Sequence, residues 1–138
     1  MKILSSLLLV LVVIVAAGCG DKKLTPTKGE VESFRRAVES GNGEDVRTML
    51  NRFDNTLLLK TPESGNYTIL STAASNGDLG MVKLLVEHGA DVNEVIISKR
   101  RTTTPAICAA IQADNTDVVN YLLNRGANPD ILAGLPLC

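Results

Sequence analysis

Thr68-Ile69-Leu70-Ser71-Thr72-Ala73-Ala74-Ser75-Asn76-Gly77-Asp78 runs on through Val82, Leu84 and Leu85 to Glu87-His88-Gly89-Ala90-Asp91-Val92-Asn93. The pattern then returns. Thr104-Pro105-Ala106-Ile107-Cys108-Ala109-Ala110 leads through Val118-Val119 and Leu122-Leu123 to Arg125-Gly126-Ala127-Asn128. Thr104 is placed to cap a helix, and Pro105 at the first helical position costs nothing because its missing N–H would be unpaired there anyway. Ala73-Ala74 and Ala109-Ala110 keep side chains small where two helices approach. Gly77 permits the left-handed residue that ends a first helix, and Gly89 and Gly126 do the same for a second. Each unit therefore reads as helix, tight turn, helix, then an extended finger, and no unit buries its apolar face without a neighbour. From Gly89 to Gly126 is 37 residues, above the usual period of about 33. The excess is expected as one residue within Ala113-Asp114-Asn115-Thr116 and about three between Asn93 and Thr104, judged against that period.

These passages resemble the ankyrin repeat. The resemblance implies an all-α solenoid of about three helix-turn-helix units with connecting fingers. The repeat domain is expected over 29–138, with strong units at 65–97 and 101–133. A weaker first copy is expected over 30–60, where Phe34, Ala37, Val38 and Gly41 mark one helix and Val46, Met49 and Leu50 the next. Arg52-Phe53-Asp54-Asn55 replaces the Gly-Ala closing turn there, and Glu30, Glu32, Arg35, Arg36 and Glu39 suit a solvated outer face. Gly134-Leu135-Pro136-Leu137-Cys138 matches the start of a further repeat, a stub over 134–138.

Residues 1–18 read as a secretory signal. Lys2 supplies the positive charge, Ile3 to Val15 is an apolar run, and Ala16-Ala17-Gly18 is a small-residue cleavage site. The run is too short for a spanning helix, which needs about 20 apolar residues. Ala16-Ala17-Gly18-Cys19 resembles the lipobox of bacterial lipoproteins, although Leu is commoner where Ala16 stands. The resemblance implies that Cys19 becomes the first residue and carries an acyl chain such as palmitate; the alternative is an ordinary secreted protein with a free thiol. Gly20 follows Cys19, and in two-membrane bacteria the family implies outer-membrane anchoring that faces the periplasm. Residues 19–28 are then a lipidated Cys and a short tether.

The whole chain has a formal net charge of −1, and loss of Lys2 with the signal makes it more negative. A near-balanced surface argues against nucleic acid as the partner. With no Trp, two Phe and two Tyr, the core must be packed from Ala, Val, Leu and Ile. His88 is the only histidine and precedes the helix-ending Gly89, where a cation is favoured by the helix dipole. Metal sites and His-dependent nucleophiles need partners that the sequence does not pair with it. No phosphate loop, serine elbow or Cys-x-x-Cys motif is present, so neither an enzyme, a cofactor nor a metal is expected. Cys108 reads as a small buried hydrophobe. It and Cys138 fall at nearly equivalent places in successive repeats, about 10 Å apart by helix packing, which disfavours a disulfide that needs Cα atoms within about 7 Å.

Ankyrin arrays bind through finger tips and the exposed faces of first helices. Carried onto this sequence, that surface comprises Asn66, Ser75, Asn76, Lys99, Arg100, Arg101, Ile111 and Gln112. Lys99-Arg100-Arg101 is either a solvated charge run or a basic finger for an acidic partner. Ile111 is apolar where polar residues are usual, which implies either a partner contact or packing against a lengthened turn. The expected function is protein binding by a lipid-anchored adaptor in the bacterial cell envelope. The alternative is an inhibitor or immunity protein that neutralises a toxin in the periplasm.

Overall fold

The computed structural model describes residues 23–60, 67–97 and 102–131. These residues form seven helices: α1 (Lys28–Glu39), α2 (Gly43–Arg52), α3 (Asn55–Leu59), α4 (Ile69–Ser75), α5 (Leu79–Glu87), α6 (Ala106–Gln112) and α7 (Thr116–Asn124). The pairs α1/α2, α4/α5 and α6/α7 are the three expected units. First helices pack on one another in the order α1, α4, α6, and second helices follow as α2, α5, α7. One apolar core runs through all three, from Phe34 and Leu50 through Leu70 and Leu85 to Ile107 and Leu122. Burying a side chain such as Leu85 contributes about 2 kcal/mol. Ala73, Ala74, Ala109 and Ala110 are all buried, so the small side chains lie where the backbones approach.

The three inter-helix turns are superimposable in their hydrogen bonds. In the first, Gly41 N–H donates to Val38 O, Asn42 N–H to Ala37 O and Gly43 N–H to Gly41 O. The same three bonds recur from Gly77, Asp78 and Leu79 to Ala74, Ala73 and Gly77, and from Asp114, Asn115 and Thr116 to Ile111, Ala110 and Asp114. Gly41, Gly77 and Asp114 therefore occupy one left-handed position, and Asp114 alone among the described non-glycine residues has positive φ, at 58°.

This correspondence corrects the expected insertion. The turn 113–116 has no extra residue; the shift lies upstream, because Pro105 is the N-cap of α6 and the helix starts at Ala106. Thr104 does not cap it. Thr104 is buried and pairs with Tyr67 of the preceding unit. In the middle unit the expected cap is present, with the Thr68 side chain accepting from Ser71 N–H at 3.2 Å. By the turn register, Ala73 matches Ala110, Ala74 matches Ile111, and Ser71 matches Cys108.

The first unit departs in two further ways. Leu57, Leu58 and Leu59 follow the missing Gly-Ala turn as a short helix, α3, capped by the Asp54 carboxylate accepting from Thr56 N–H at 2.8 Å. Periodicity over five residues is too short to have marked it. Lys23 and Leu24, expected in the tether, are instead held to α2. Lys23 Nζ donates to Leu50 O at 3.1 Å, and Leu24 pairs with Phe53. Thr27 then caps α1 in a reciprocal box with Glu30. The other tether residues before Lys23, the signal and Cys19 lie outside the described residues.

Candidate protein-binding surface

The finger between the second and third units is a pair of antiparallel arms. Thr103 N–H donates to Ile96 O at 3.0 Å, Ile96 N–H donates to Thr103 Oγ1 at 2.9 Å, and Ile97 pairs with Thr102. Both ends of the four residues that carry Lys99, Arg100 and Arg101 are thereby anchored, although 98–101 themselves lie outside the described residues. The base of the finger is fixed from both neighbours. Ser71 Oγ donates to Thr104 O at 2.6 Å. Asn93 Nδ2 donates to Gly126 O at 3.0 Å while Asn93 Oδ1 accepts from Asn128 N–H at 2.8 Å.

Of the candidate contact residues, Ser75, Asn76, Ile111 and Gln112 are described, and Asn66, Lys99, Arg100, Arg101 and the lipidation candidate Cys19 are not. Ser75 closes α4 and is half-buried, while Asn76 is exposed at its C-cap. Both are engaged in joining repeats. Asn76 Nδ2 donates to Glu39 O at 3.4 Å, and the carbonyls of Ala74 and Ser75 accept from Asn115 Nδ2 at 2.9 and 3.1 Å. Asn115 was not singled out from the sequence. It follows a helix-ending turn, where Asn reads as a local cap, and its actual partners are some 40 residues away.

Ile111 is 49% exposed, but its place differs from the expectation. Its counterparts Val38 and Ala74 are buried where one unit stacks on the next. Ile111 thus belongs to a stacking face, not to the polar face of a first helix. The turn that follows it is not lengthened, so packing against a longer turn does not account for its exposure. Leu123, 44% exposed, is the counterpart of buried Leu50 and half-buried Val86, and lies on the same face. Gln112 is exposed at the end of α6.

A cleft of about 320 Å³ opens beside the closing turn of the middle unit, lined by Asn55, Lys60, His88, Asp91 and Glu94 among others. His88 caps α5, its Nδ1 lying 2.8 Å from Leu84 O. Its backbone carbonyl accepts from Asn55 Nδ2 at 3.2 Å. Burial, reinforced by the Asp91 carboxylate, pushes the Glu94 carboxyl above the usual carboxylate range, against the pull of Lys60. Among the described residues, no three His, Cys, Asp or Glu side chains gather into a set able to hold a metal ion.

A family model for ankyrin repeats, in three copies, matches residues 34–133. An ankyrin repeat protein of fowlpox virus is 33% identical over 99 residues, which cover 72% of this chain and 13% of the viral protein. BRCA1-associated RING domain protein 1 of Caenorhabditis elegans is 35% identical over 98 residues, 71% of this chain and 11% of that protein. A potassium channel of Arabidopsis thaliana is 40% identical over 57 residues, 41% of this chain and 6% of the channel. The chain thus spans 13% or less of the length of these relatives.

Proposed function

This chain belongs to the ankyrin-repeat family, whose repeats are general protein–protein interaction modules, and on that premise we propose that it is a lipid-anchored protein-binding module of the bacterial cell envelope. The paired arms from Ile96 to Thr103 carry the proposal. They flank a basic segment, Lys99-Arg100-Arg101, on both sides. An acidic partner surface is its complement. Charges so placed act chiefly on association rate and are screened by salt.

The envelope location rests on Ala16-Ala17-Gly18-Cys19 after the apolar run from Ile3 to Val15. The disulfide-bonded state of Cys108 corrects the expectation of a free buried thiol and supports an oxidising compartment, because disulfides persist in exported proteins and are rare in the cytosol. Lipid on Cys19, with outer-membrane anchoring facing the periplasm, completes the proposal.

Two measurements test it. Mass spectrometry of the mature protein should find acyl mass on Cys19, and Cys19→Ser should leave an uncleaved or soluble product. An unmodified Cys19, or a mature start elsewhere, removes the anchor from the proposal. Capture from envelope extract should then be compared between the parent and Arg100→Glu/Arg101→Glu. A resident complex lost with the charge reversal fits the adaptor. A toxin enzyme that is captured and loses activity fits an inhibitor. Equal capture by both proteins places binding away from the finger.

A further inference from the structure

We infer that one corner of the first unit, where Leu24 and Leu57 lie exposed among basic side chains, rests on the headgroup surface of the bilayer that holds the acyl chain of Cys19; the inference rests on the lipid-anchored reading above. Reach carries it. Residues 19–28 as a loose tether would let the repeats stand about 30 Å from the lipid. The fold removes more than half of that length. Lys23 Nζ donates to Leu50 O at 3.1 Å, Leu24 N–H donates to Arg52 O at 3.3 Å, and Leu24 O accepts from Asp54 N–H at 2.9 Å. Lys23 is thus fixed to the first unit only four residues after Cys19, a span of about 14 Å at most in any conformation. An acyl chain on Cys19 therefore keeps this corner of the stack at the membrane, whichever way the rest points.

What the corner presents suits an anionic lipid surface. Leu24 is 54% exposed and Leu57 48%. The two are neighbours, because Leu57 lies in the first turn of the helix capped by Asp54, and Asp54 is bonded to Leu24. Both stay out of the apolar core that takes Leu58 and Leu59. Within 23–30 and 50–60, the basic residues Lys23, Lys28, Arg52 and Lys60 outnumber the acidic Glu30 and Asp54. Both carboxylates are committed to helix caps, Glu30 accepting from Thr27 N–H at 2.8 Å and Asp54 from Thr56 N–H at 2.8 Å. Lys28 and Lys60 are exposed. An interfacial contact draws on both features, since apolar side chains enter the headgroup region while cations are attracted by anionic lipid. A single acyl chain holds a protein only marginally and reversibly, and such a contact supplies the second signal that stable anchoring takes.

The chain contains no Trp, so one introduced indole reports on its own surroundings. Leu24→Trp, Leu57→Trp and, as a remote reference in the third unit, Leu123→Trp are half-exposed sites whose substitution leaves the core intact. Each is prepared as the full acylated chain in vesicles of phosphatidylethanolamine and phosphatidylglycerol with acyl chains brominated near the headgroup. Emission at 24 and 57 should be quenched at least about twofold more strongly than at 123, because only the corner enters the headgroup region. The excess should shrink when phosphatidylcholine replaces phosphatidylglycerol. Quenching at 24 and 57 no greater than at 123 overturns the contact. Flotation separates that result from failure of the anchor. Protein that floats with the vesicles and carries acyl mass on Cys19, yet is unquenched at 24 and 57, keeps the anchor and loses the contact; protein that neither floats nor carries acyl mass loses both. Protection of 24 and 57 from iodide in a soluble Cys19→Ser product, growing with protein concentration, would put a second copy on this corner and also overturns the inference.

Discussion

Gly77 and Gly89 both hold left-handed backbone, at φ +73° and +101°, yet a Cβ at Gly89 meets nothing while one at Gly77 falls 2.7 Å from Asn115 Oδ1. Alanine at Gly89 should therefore cost about 1–2 kcal/mol, the conformational strain alone. At Gly77 the same strain is joined by displacement of Asn115 from the carbonyls of Ala74 and Ser75, adding about 1–3 kcal/mol. Urea denaturation should place Gly77→Ala clearly below Gly89→Ala; equal losses would show that the Asn115 bridge contributes nothing. Glu94 makes a prediction with pH. A carboxyl raised in the folded state binds its proton more tightly there than in the unfolded chain, so stability falls as pH rises through the folded pKa. Glu94→Gln should raise Tm at neutral pH, and that gain should vanish below the ordinary carboxylate range, near pH 4. Thermal melts across this interval provide the check. The glycines were legible in the sequence because left-handed backbone leaves a compositional mark. The Asn115 bridge and the burial of Glu94 were not, since each depends on a neighbouring repeat.

Helix α6 shows what repeat alignment resolves and where it slips. The pairing of Pro105 with a first helical position follows a sound local rule, and the helix nonetheless begins one residue later, at Ala106. Aligning Ala73-Ala74 with Ala109-Ala110 hid the shift, because three successive small residues precede or straddle the match and all are buried alike. The turn after α6 exposes it through its hydrogen bonds, which no residue pattern records. Two substitutions follow from the corrected register. Asp114 stands where the other units have Gly41 and Gly77, so Asp114→Gly should stabilise the turn by up to about 1 kcal/mol, the relief of left-handed strain less the backbone entropy of glycine. Ala109→Leu should cost about 1–3 kcal/mol by overpacking the contact between α4 and α6. Chemical denaturation should show the two changes with opposite signs, and a destabilising Asp114→Gly would return the insertion to the turn. Helix α3 lay beyond such reasoning: Asn55–Leu59 is too short for a period, and only its burial against the stack singles it out.

In a stack this short, each unit is buried only by its neighbours, so folding and binding surfaces must be separated by position along the array. The ankyrin architecture was legible throughout because its period survives in the sequence. The division of labour between faces was not, since exposure at Ile111 looked the same from either cause. The finger and the stacking face of α6 make opposite predictions. Lys99, Arg100 and Arg101 lie in sequence between arms paired through Ile96, Ile97, Thr102 and Thr103, so reversing the charge of Arg100 and Arg101 leaves the residues that form that pairing unchanged. Tm should stay within about 2 °C of the parent, as expected for a surface substitution. Association with an acidic partner should slow, most at low ionic strength, with the difference shrinking as salt shortens the Debye length from about 30 Å at 0.01 M to about 8 Å at 0.15 M. Ile111→Asp places a carboxylate on that stacking face. With Ile111 49% exposed, the change should cost the fold roughly 0.5 kcal/mol, as other surface substitutions do, and lower Tm only slightly. Partner association should be unaffected while the protein remains folded. Thermal melts and association rates of the Ile111→Asp variant give the check: slowed association with unchanged Tm would return Ile111 to the binding surface beside the finger.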